Sequence, residues 1–378
     1  MPAVDVRPVR SRRDLTRFIK LPFRLHRNEP NWVPPLVFER RRFLDRRKNP
    51  YFHHAEAEYF LAWRDGEPAG RVTAQIDRNF NEYHGERSGH FGFFESEDDP
   101  EVARSLLEAA ESWLRERGME RMIGPFDFTM NDECGLLIEG YERKPMVKQP
   151  WQPPYYRALL EGAGMEKAVD LFMWELHISD RQKILPVLFE LAEKLEPEHG
   201  IRVRHMRKKD LEDEIRSFQE IYNAAWKDNW GFVPLTYEEL LHTAKESKPI
   251  LSEDWMMAAD TADGETVAIA LTVPDVNVVL ARLGGRLLPF GWLKLLRDVK
   301  KVDSVRVGFL GVKPEYQHTG VAAGLYVEHF DMAEVTPQKW GEMGWILETN
   351  TAMNRGMEAM GGRVVKKYRV YERPVAAD

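Results

Sequence analysis

Short apolar runs separated by turn residues set the pattern of this chain. Phe60-Leu61-Ala62-Trp63 leads through Arg64-Asp65-Gly66-Glu67 into a second run from Ala69 to Ile76. An Asp-Gly pair between two such runs predicts a β-hairpin, because glycine adopts the positive φ that a tight turn needs. The same order returns 198 residues later, with Met256 to Ala262, Asp263-Gly264-Glu265 and Val267 to Val273. Upstream of the first hairpin, Val6-Arg7-Pro8-Val9-Arg10, Asp14-Leu15 and Asn31-Trp32-Val33-Pro34 stand in sequence. They recur 197 residues on as Val203-Arg204-His205-Met206-Arg207, Asp210-Leu211 and Asn229-Trp230-Gly231-Phe232-Val233-Pro234. A third match, Gly92-Phe93-Phe94 with Gly308-Phe309-Leu310, is offset by 216. The second half therefore holds about eighteen extra residues, in the Val278 to Lys301 region. Matches in one order at nearly constant offset indicate a unit built twice.

Each half then reads as a strand, helices, a meander of about three strands, a helix, a strand, a helix and a final strand. The helices after the meanders are expected at Asp99 to Arg117 and Thr319 to Glu334. Between the halves, Ser179-Asp180 can cap a helix with Ile184, Leu188, Leu191 and Leu195 on one face, ended by Pro197 to Gly200. The expected division is 1–178 for the first copy, 179–200 for a linker helix and 201–378 for the second. The expected fold class is α/β with a mixed sheet.

The 378 residues carry 43% hydrophobic side chains and a net charge of −7. That composition excludes a largely disordered chain and offers no global basic field for a nucleic acid partner. Cys134 is the single cysteine, so neither an intramolecular disulfide nor a four-cysteine zinc site can form, and a cytoplasmic location is expected. Met1 to Lys20 lacks the apolar core of a secretory signal. Arg282, Arg286, Lys294 and Arg297 interrupt the greasiest stretch, Val278 to Val299, so no integral membrane contact is expected. That stretch is amphipathic from Leu287 to Arg297 and suits cleft cover, packing, a subunit contact or a membrane surface. Asp132-Glu133-Cys134 and His53-His54 lack ligand-like spacing, and no metal is expected.

The segment following the strand Ser304 to Leu310 carries the most chemistry. Val312-Lys313-Pro314-Glu315-Tyr316-Gln317-His318-Thr319-Gly320-Val321-Ala322 runs directly into a helix. First-turn N–H groups of a helix have no internal acceptors, and the macrodipole places about half a positive charge there, so backbone alone can receive a phosphate. Small residues at Gly320 and Ala322 allow close approach.

Val312, Pro314, Gln317, Gly320 and Ala322 meet the five defining positions of V-x-P-x-x-Q/R-x-x-G-x-G/A. The stretch thereby resembles the acyl-CoA-binding motif of the GCN5-related N-acetyltransferase (GNAT) superfamily. Trp345 to Thr349, Asn350 and the run to Gly361-Gly362 resemble that superfamily's last strand and helix, with Arg363 to Tyr371 as the closing strand. The resemblance covers about Ile201 to Arg373 and extends more weakly to Val4 to Leu176, which implies two tandem GNAT-like folds. It implies an acyl-CoA co-substrate, acetyl-CoA or another, and transfer of its acyl group to an amine acceptor, small molecule or peptide, bound between the halves. It further implies that the backbone of the strand holds the thioester carbonyl, through Leu310 and Val312, with Gly311 between them also on the cofactor. Gln317, His318, Thr319, Gly320, Val321 and Ala322 take the pyrophosphate. His318 also reads as a plain solvated residue, and Asn350 as either a cofactor contact or a helix cap.

The family's proton-donating Tyr falls on Met357, which has no proton to give. Tyr326 or Tyr368 can substitute, and Glu348 is the candidate catalytic base, with a structural carboxylate as its other reading. Lys366, Lys367 and Arg369 suit either the 3′-phosphate or a solvated edge strand. The Pro- and aromatic-rich stretch Met130 to Tyr156 is the expected place for the acceptor. In the first half, Glu95-Ser96-Glu97-Asp98-Asp99-Pro100-Glu101 replaces the glycine loop, so one acyl-CoA per chain is expected and the first copy is degenerate. Two alternatives stay open: a catalytically silent acyl-CoA-binding protein and a Fem-like aminoacyl transferase.

Overall fold

The computed structural model describes residues 3–376, which divide into two compact units. The first contains residues up to Leu171 together with Leu280–Leu288 and the chain from Lys366; the second contains Phe172–Val279 and Pro289–Val365.

In the first unit the elements are β1 (Asp5–Pro8), α1 (Arg12–Leu25), α2 (Val37–Phe43), β2 (Ala55–Arg64), β3 (Glu67–Asp77), α3 (Arg78–His84), β4 (Ser88–Ser96), α4 (Pro100–Arg115), β5 (Arg121–Gly124), β6 (Leu136–Glu139) and α5 (Tyr155–Gly162). Then β7 (Glu166–His177) begins in this unit and ends in the second. The second unit continues with α6 (Pro186–His199), β8 (Arg202–His205), α7 (Leu211–Ala225), α8 (Tyr237–Ser247), β9 (Met256–Asp260), β10 (Thr266–Pro274), α9 (Asn277–Leu280), α10 (Gly291–Asp298), β11 (Ser304–Val312), α11 (Val321–Val335), β12 (Trp340–Leu347) and α12 (Thr351–Ala359). Finally β13 (Arg363–Pro374) starts in the second unit and returns to the first.

Strand order in the first unit is β1-β2-β3-β4-β5-β13, and in the second β8-β9-β10-β11-β12-β7. Both sheets are mixed: the meanders β1-β2-β3-β4 and β8-β9-β10-β11 are antiparallel, while β4 pairs with β5 and β11 with β12 in parallel. Each expected Asp-Gly turn is present, with positive φ at Gly66 and Gly264. The third sequence match lands on a shared device. The β3–β4 register slips between Arg71 and Thr73, around Phe93-Phe94, and the β10–β11 register slips at Leu271/Thr272, leaving Gly308 as the extra residue. Such a bulge bends its strand and re-aims the residues beyond it.

The expected boundaries at 178 and 201 do not coincide with the compact units. Residues 366–376 pair with β5 and β6, and Gly285 accepts a hydrogen bond from the Val37 N–H at 3.3 Å. Strand pairing between segments far apart in sequence leaves no local signal. The expected linker helix also differs. Ser179-Asp180 lie in a short 3-10 turn, Ile178–Lys183, and α6 starts at Pro186, where the missing proline N–H costs nothing in a first turn. Leu195 packs into the same core as Val321 and Leu325 of α11, so α6 is part of the second unit.

Candidate functional site

In the second unit, β11 and α11 meet at the loop that carries the sequence motif. The parallel ladder to β12 runs from Ser304 opposite Trp340 to Val307 opposite Met343. Among the described residues the rest of β11 past the bulge at Gly308, Phe309–Val312, is paired on its β10 side. The two parallel strands therefore splay. Amide direction alternates along a strand, and the Lys313 N–H donates to the Val267 carbonyl at 2.9 Å on the β10 side. By that alternation the N–H groups of Leu310 and Val312 point to the splayed edge, and that of Gly311 to β10.

Past the splay, Pro314–Thr319 form a 3-10 turn in which the Thr319 hydroxyl donates to the Tyr316 carbonyl at 2.7 Å. Lys313 is held to Glu220 at 2.5 Å and Glu265 at 2.8 Å, which fixes the root of the loop. Gly320 takes the left-handed conformation (φ 80°) and caps α11 without a side-chain hydrogen bond. Its φ strains any residue with a Cβ, and a Cβ there would also stand 3.1 Å from Leu191 of α6. Gln317 and His318 are exposed, Gly320 and Ala322 half-buried, Thr319 and Val321 buried. The first-turn donors of α11 thus stay uncapped beside small side chains, with no carboxylate in the segment from Gln317 to Ala322.

The first unit has closed the corresponding places. Asp99 caps α4, accepting from the N–H of Glu101 at 2.9 Å and of Val102 at 3.4 Å. Arg64 binds the Asp99 and Glu101 carboxylates in turn. The β4–β5 ladder runs from Ser88 to His90, and the gap beyond it is filled. Phe126 donates its N–H to the Phe91 carbonyl at 2.8 Å, and the Asp127 carboxylate accepts the Phe93 N–H at 2.8 Å. A Cβ on Gly92 would sit 1.6 Å from the Phe126 carbonyl oxygen. Burial pushes Asp127 up to about 6 against the pull of Arg40. Beside it, Tyr156 donates to Glu95 at 2.7 Å, His26 Nε2 lies 2.7 Å from the same oxygen, and Arg71 reaches the other at 3.4 Å. Burial alone would raise Glu95; His26 and Arg71 hold it below the usual carboxylate range. Sequence spacing pointed to neither Asp127 nor His26, since their partners lie 34 and 69 residues away.

The remaining candidates sort by their neighbours. Asn350 is a helix cap: its side-chain oxygen accepts the Met353 N–H at 3.1 Å. Glu348 follows β12 and is half-buried. Met357 is buried with Trp174, Leu176, Phe330 and Ile346. Tyr326 on α11 donates to Met353 Sδ at 3.4 Å, and burial raises its phenol to about 12, so it stays protonated. Tyr368 is engaged elsewhere, fully buried with its hydroxyl on the Pro150 carbonyl at 3.1 Å. Lys366 is buried on Gln149, Lys367 pairs with Glu139, and Arg369 grips Asp170 with two bonds of 2.8 and 3.0 Å, all in the first unit. Trp151, Gln149 and Gln152 of the aromatic stretch are buried, while its Glu142, Lys144 and Lys148 are exposed. Among the described residues no three His, Cys, Asp or Glu side chains are grouped to hold a metal ion, and no helix is long and apolar enough to cross a membrane.

No family model matches the chain. It is 38% identical over 377 residues to the bacterial ceramide synthase of Caulobacter vibrioides (strain NA1000 / CB15N), spanning 98% of this chain and 97% of that protein. It is 36% identical over 379 residues to protein YghO of Escherichia coli (strain K12), spanning 98% and 95%. Among solved structures, a tandem GNAT protein from the clavulanic acid biosynthesis pathway shares the fold with a TM-score of 0.58, over 99% of both chains at 11% identity. The mixed α/β architecture with its doubled meander is therefore a tandem GNAT fold, and the chain belongs to the family of bacterial ceramide synthase and YghO.

Proposed function

We propose that the chain transfers a fatty acyl group from acyl-CoA to the primary amine of a sphingoid base, a long-chain amino alcohol, forming an amide. The observation that carries this is the 38% identity to bacterial ceramide synthase across 98% of the chain. A ceramide is an N-acylated sphingoid base, so a long acyl chain replaces the acetyl group first expected.

The roles of the reacting groups derive from the second unit. The pyrophosphate rests on the uncapped N–H groups from Gly320 to Ala322, with Gln317, His318 and Thr319 alongside. The thioester enters the splay, where the N–H of Leu310 or Val312 holds the carbonyl oxygen as charge develops on it. The amine nitrogen attacks the carbonyl carbon, the C–S bond breaks and CoA leaves as thiolate. Glu348, directly or through water, takes the proton lost by nitrogen, and the neutral phenol of Tyr326 is the proton source for the thiolate. Asn350 orders α12 by capping it. One acyl-CoA per chain is the consequence of Asp99 and Asp127 in the first unit.

The test is release of free CoA thiol by the full chain, with acyl-CoAs from acetyl to palmitoyl offered against a sphingoid base and a panel of water-soluble amines. Turnover with a long acyl-CoA and the sphingoid base, and an amide product by mass spectrometry, is the expected result. Turnover confined to acetyl-CoA and soluble amines would overturn the substrate assignment.

A further inference from the structure

The insertion of the second half projects its apolar side outward. On α10 the exposed apolar side chains are Trp292 (45%), Leu293 (50%) and Leu296 (40%), preceded by Phe290 (73%). At 100° per residue, Trp292, Leu296 and Leu293 span one arc of about 100°. Gly291, Lys294, Leu295 and Asp298 lie on the other side and are half-buried. A helix packing as cleft cover would show the reverse, with its leucines and tryptophan inward, so of the readings the sequence left open the exposed arc suits a surface contact.

Charge surrounds this arc. Between residues 280 and 301 the sequence has six basic residues, Arg282, Arg286, Lys294, Arg297, Lys300 and Lys301, and one acid, Asp298, in a chain whose net charge is −7. Asp298 binds Arg297 at 2.7 Å. Lys300 and Lys301 are exposed and form no salt bridge among the described residues, Lys301 acting on Asp298 only electrostatically. An interfacial helix has these features: a tryptophan and leucines to enter the acyl boundary, and basic side chains placed to meet anionic headgroups. A second copy of the chain is a poor occupant, because a two-fold contact through this arc would bring six like charges against their own images.

We infer that Phe290, Trp292, Leu293 and Leu296 dock the protein reversibly on an anionic lipid bilayer, with Arg297, Lys300 and Lys301 on the headgroups. The docking needs no span and no acyl acceptor. It places the catalyst where amphiphiles partition.

Co-sedimentation of the full chain with phosphatidylglycerol-containing vesicles and with pure phosphatidylcholine vesicles tests this. Binding is expected to the first, weakened at least tenfold by raising salt from 0.1 to about 1 M, since screening shortens the reach of charge. The Phe290→Ser/Trp292→Ser/Leu296→Ser variant should lose at least tenfold of that binding, and Lys300→Glu/Lys301→Glu severalfold, each with an unchanged circular dichroism melt. Acyl-CoA binding by both variants should match the parent, which separates this docking from the catalytic assignment. Equal vesicle binding by parent and triple variant, or none by the parent, would overturn the inference. So would a dimer in sedimentation velocity that the triple variant dissolves, which would assign the arc to a second copy.

Discussion

The position a Cβ on Gly320 would occupy lies 3.1 Å from the Cβ of Leu191, a residue of the helix that the sequence presents as a linker. That contact makes α6 a wall of the turn ahead of α11, and the positive φ of Gly320 leaves the turn to glycine twice over, through strain and through space.

Gly320→Ala should fold with a loss of about 1 kcal/mol, the cost of a Cβ in the left-handed region, and should weaken acyl-CoA binding. Gly320→Asp should weaken it further, by at least tenfold, because a carboxylate there caps α11 as Asp99 caps α4 and repels the pyrophosphate. Calorimetric titration with acyl-CoA and urea unfolding separate the two effects. Full affinity in Gly320→Asp would remove the loop from the site.

Asp99→Ala should cost about 1 kcal/mol of stability as a lost cap. It should not create a second acyl-CoA site, since Asp127 and Phe126 still fill the splay of the first unit. The stoichiometry in the same titration checks this: two sites would show that Asp99 alone had closed the first copy.

Asp127 and His90 give opposite pH signatures. Burial raises Asp127 to about 6 from an ordinary 3.8, so its contribution is present at low pH and lost as pH rises through 6. Asp127→Asn should therefore gain relative stability between about pH 4 and 7, by up to roughly 3 kcal/mol at 1.36 kcal/mol per unit. Burial against Phe80 and Phe126 pushes His90 down to about 4 from 6.5, so the unfolded chain takes a proton first and stability falls as pH drops from 6.5 to 4. His90→Phe should flatten that acid limb. Urea midpoints at pH 4.5, 6 and 8 measure both, and parallel curves for variant and parent would contradict the assignment.

The two tyrosines should separate by assay. Tyr368→Phe removes a buried hydrogen bond to Pro150 and should cost about 1 kcal/mol with kcat unchanged. Tyr326→Phe should lower kcat by roughly a hundred- to ten-thousandfold with little change in KM, the range for a lost proton donor. Unchanged kcat in Tyr326→Phe would move the donor's role to water.

Much of the molecule is legible from local chemistry. The doubled meander is readable from Asp-Gly turns and matched runs, and the glycine turn ahead of α11 from Val312, Pro314, Gln317, Gly320 and Ala322, because a turn, a cap or a bare helix end depends on residues within one or two turns of each other. Even the uneven halves were visible, in the acids from Glu95 to Glu101.

Tertiary structure alone decided what depends on distant partners. That β13 returns to the first unit, that Gly285 joins it, that Asp127 plugs one splay while the other stays open, and that Tyr368 is spent on Pro150 are outcomes of pairing across 34 to more than 200 residues. A side chain's type states what it can bond, whereas burial and the neighbour that arrives from elsewhere in the chain determine whether it is bonded already. The same holds for α10. Its amphipathic pattern is written in the sequence, but a helical pattern has no inside until the fold supplies one, and here the fold turned the apolar arc toward solvent.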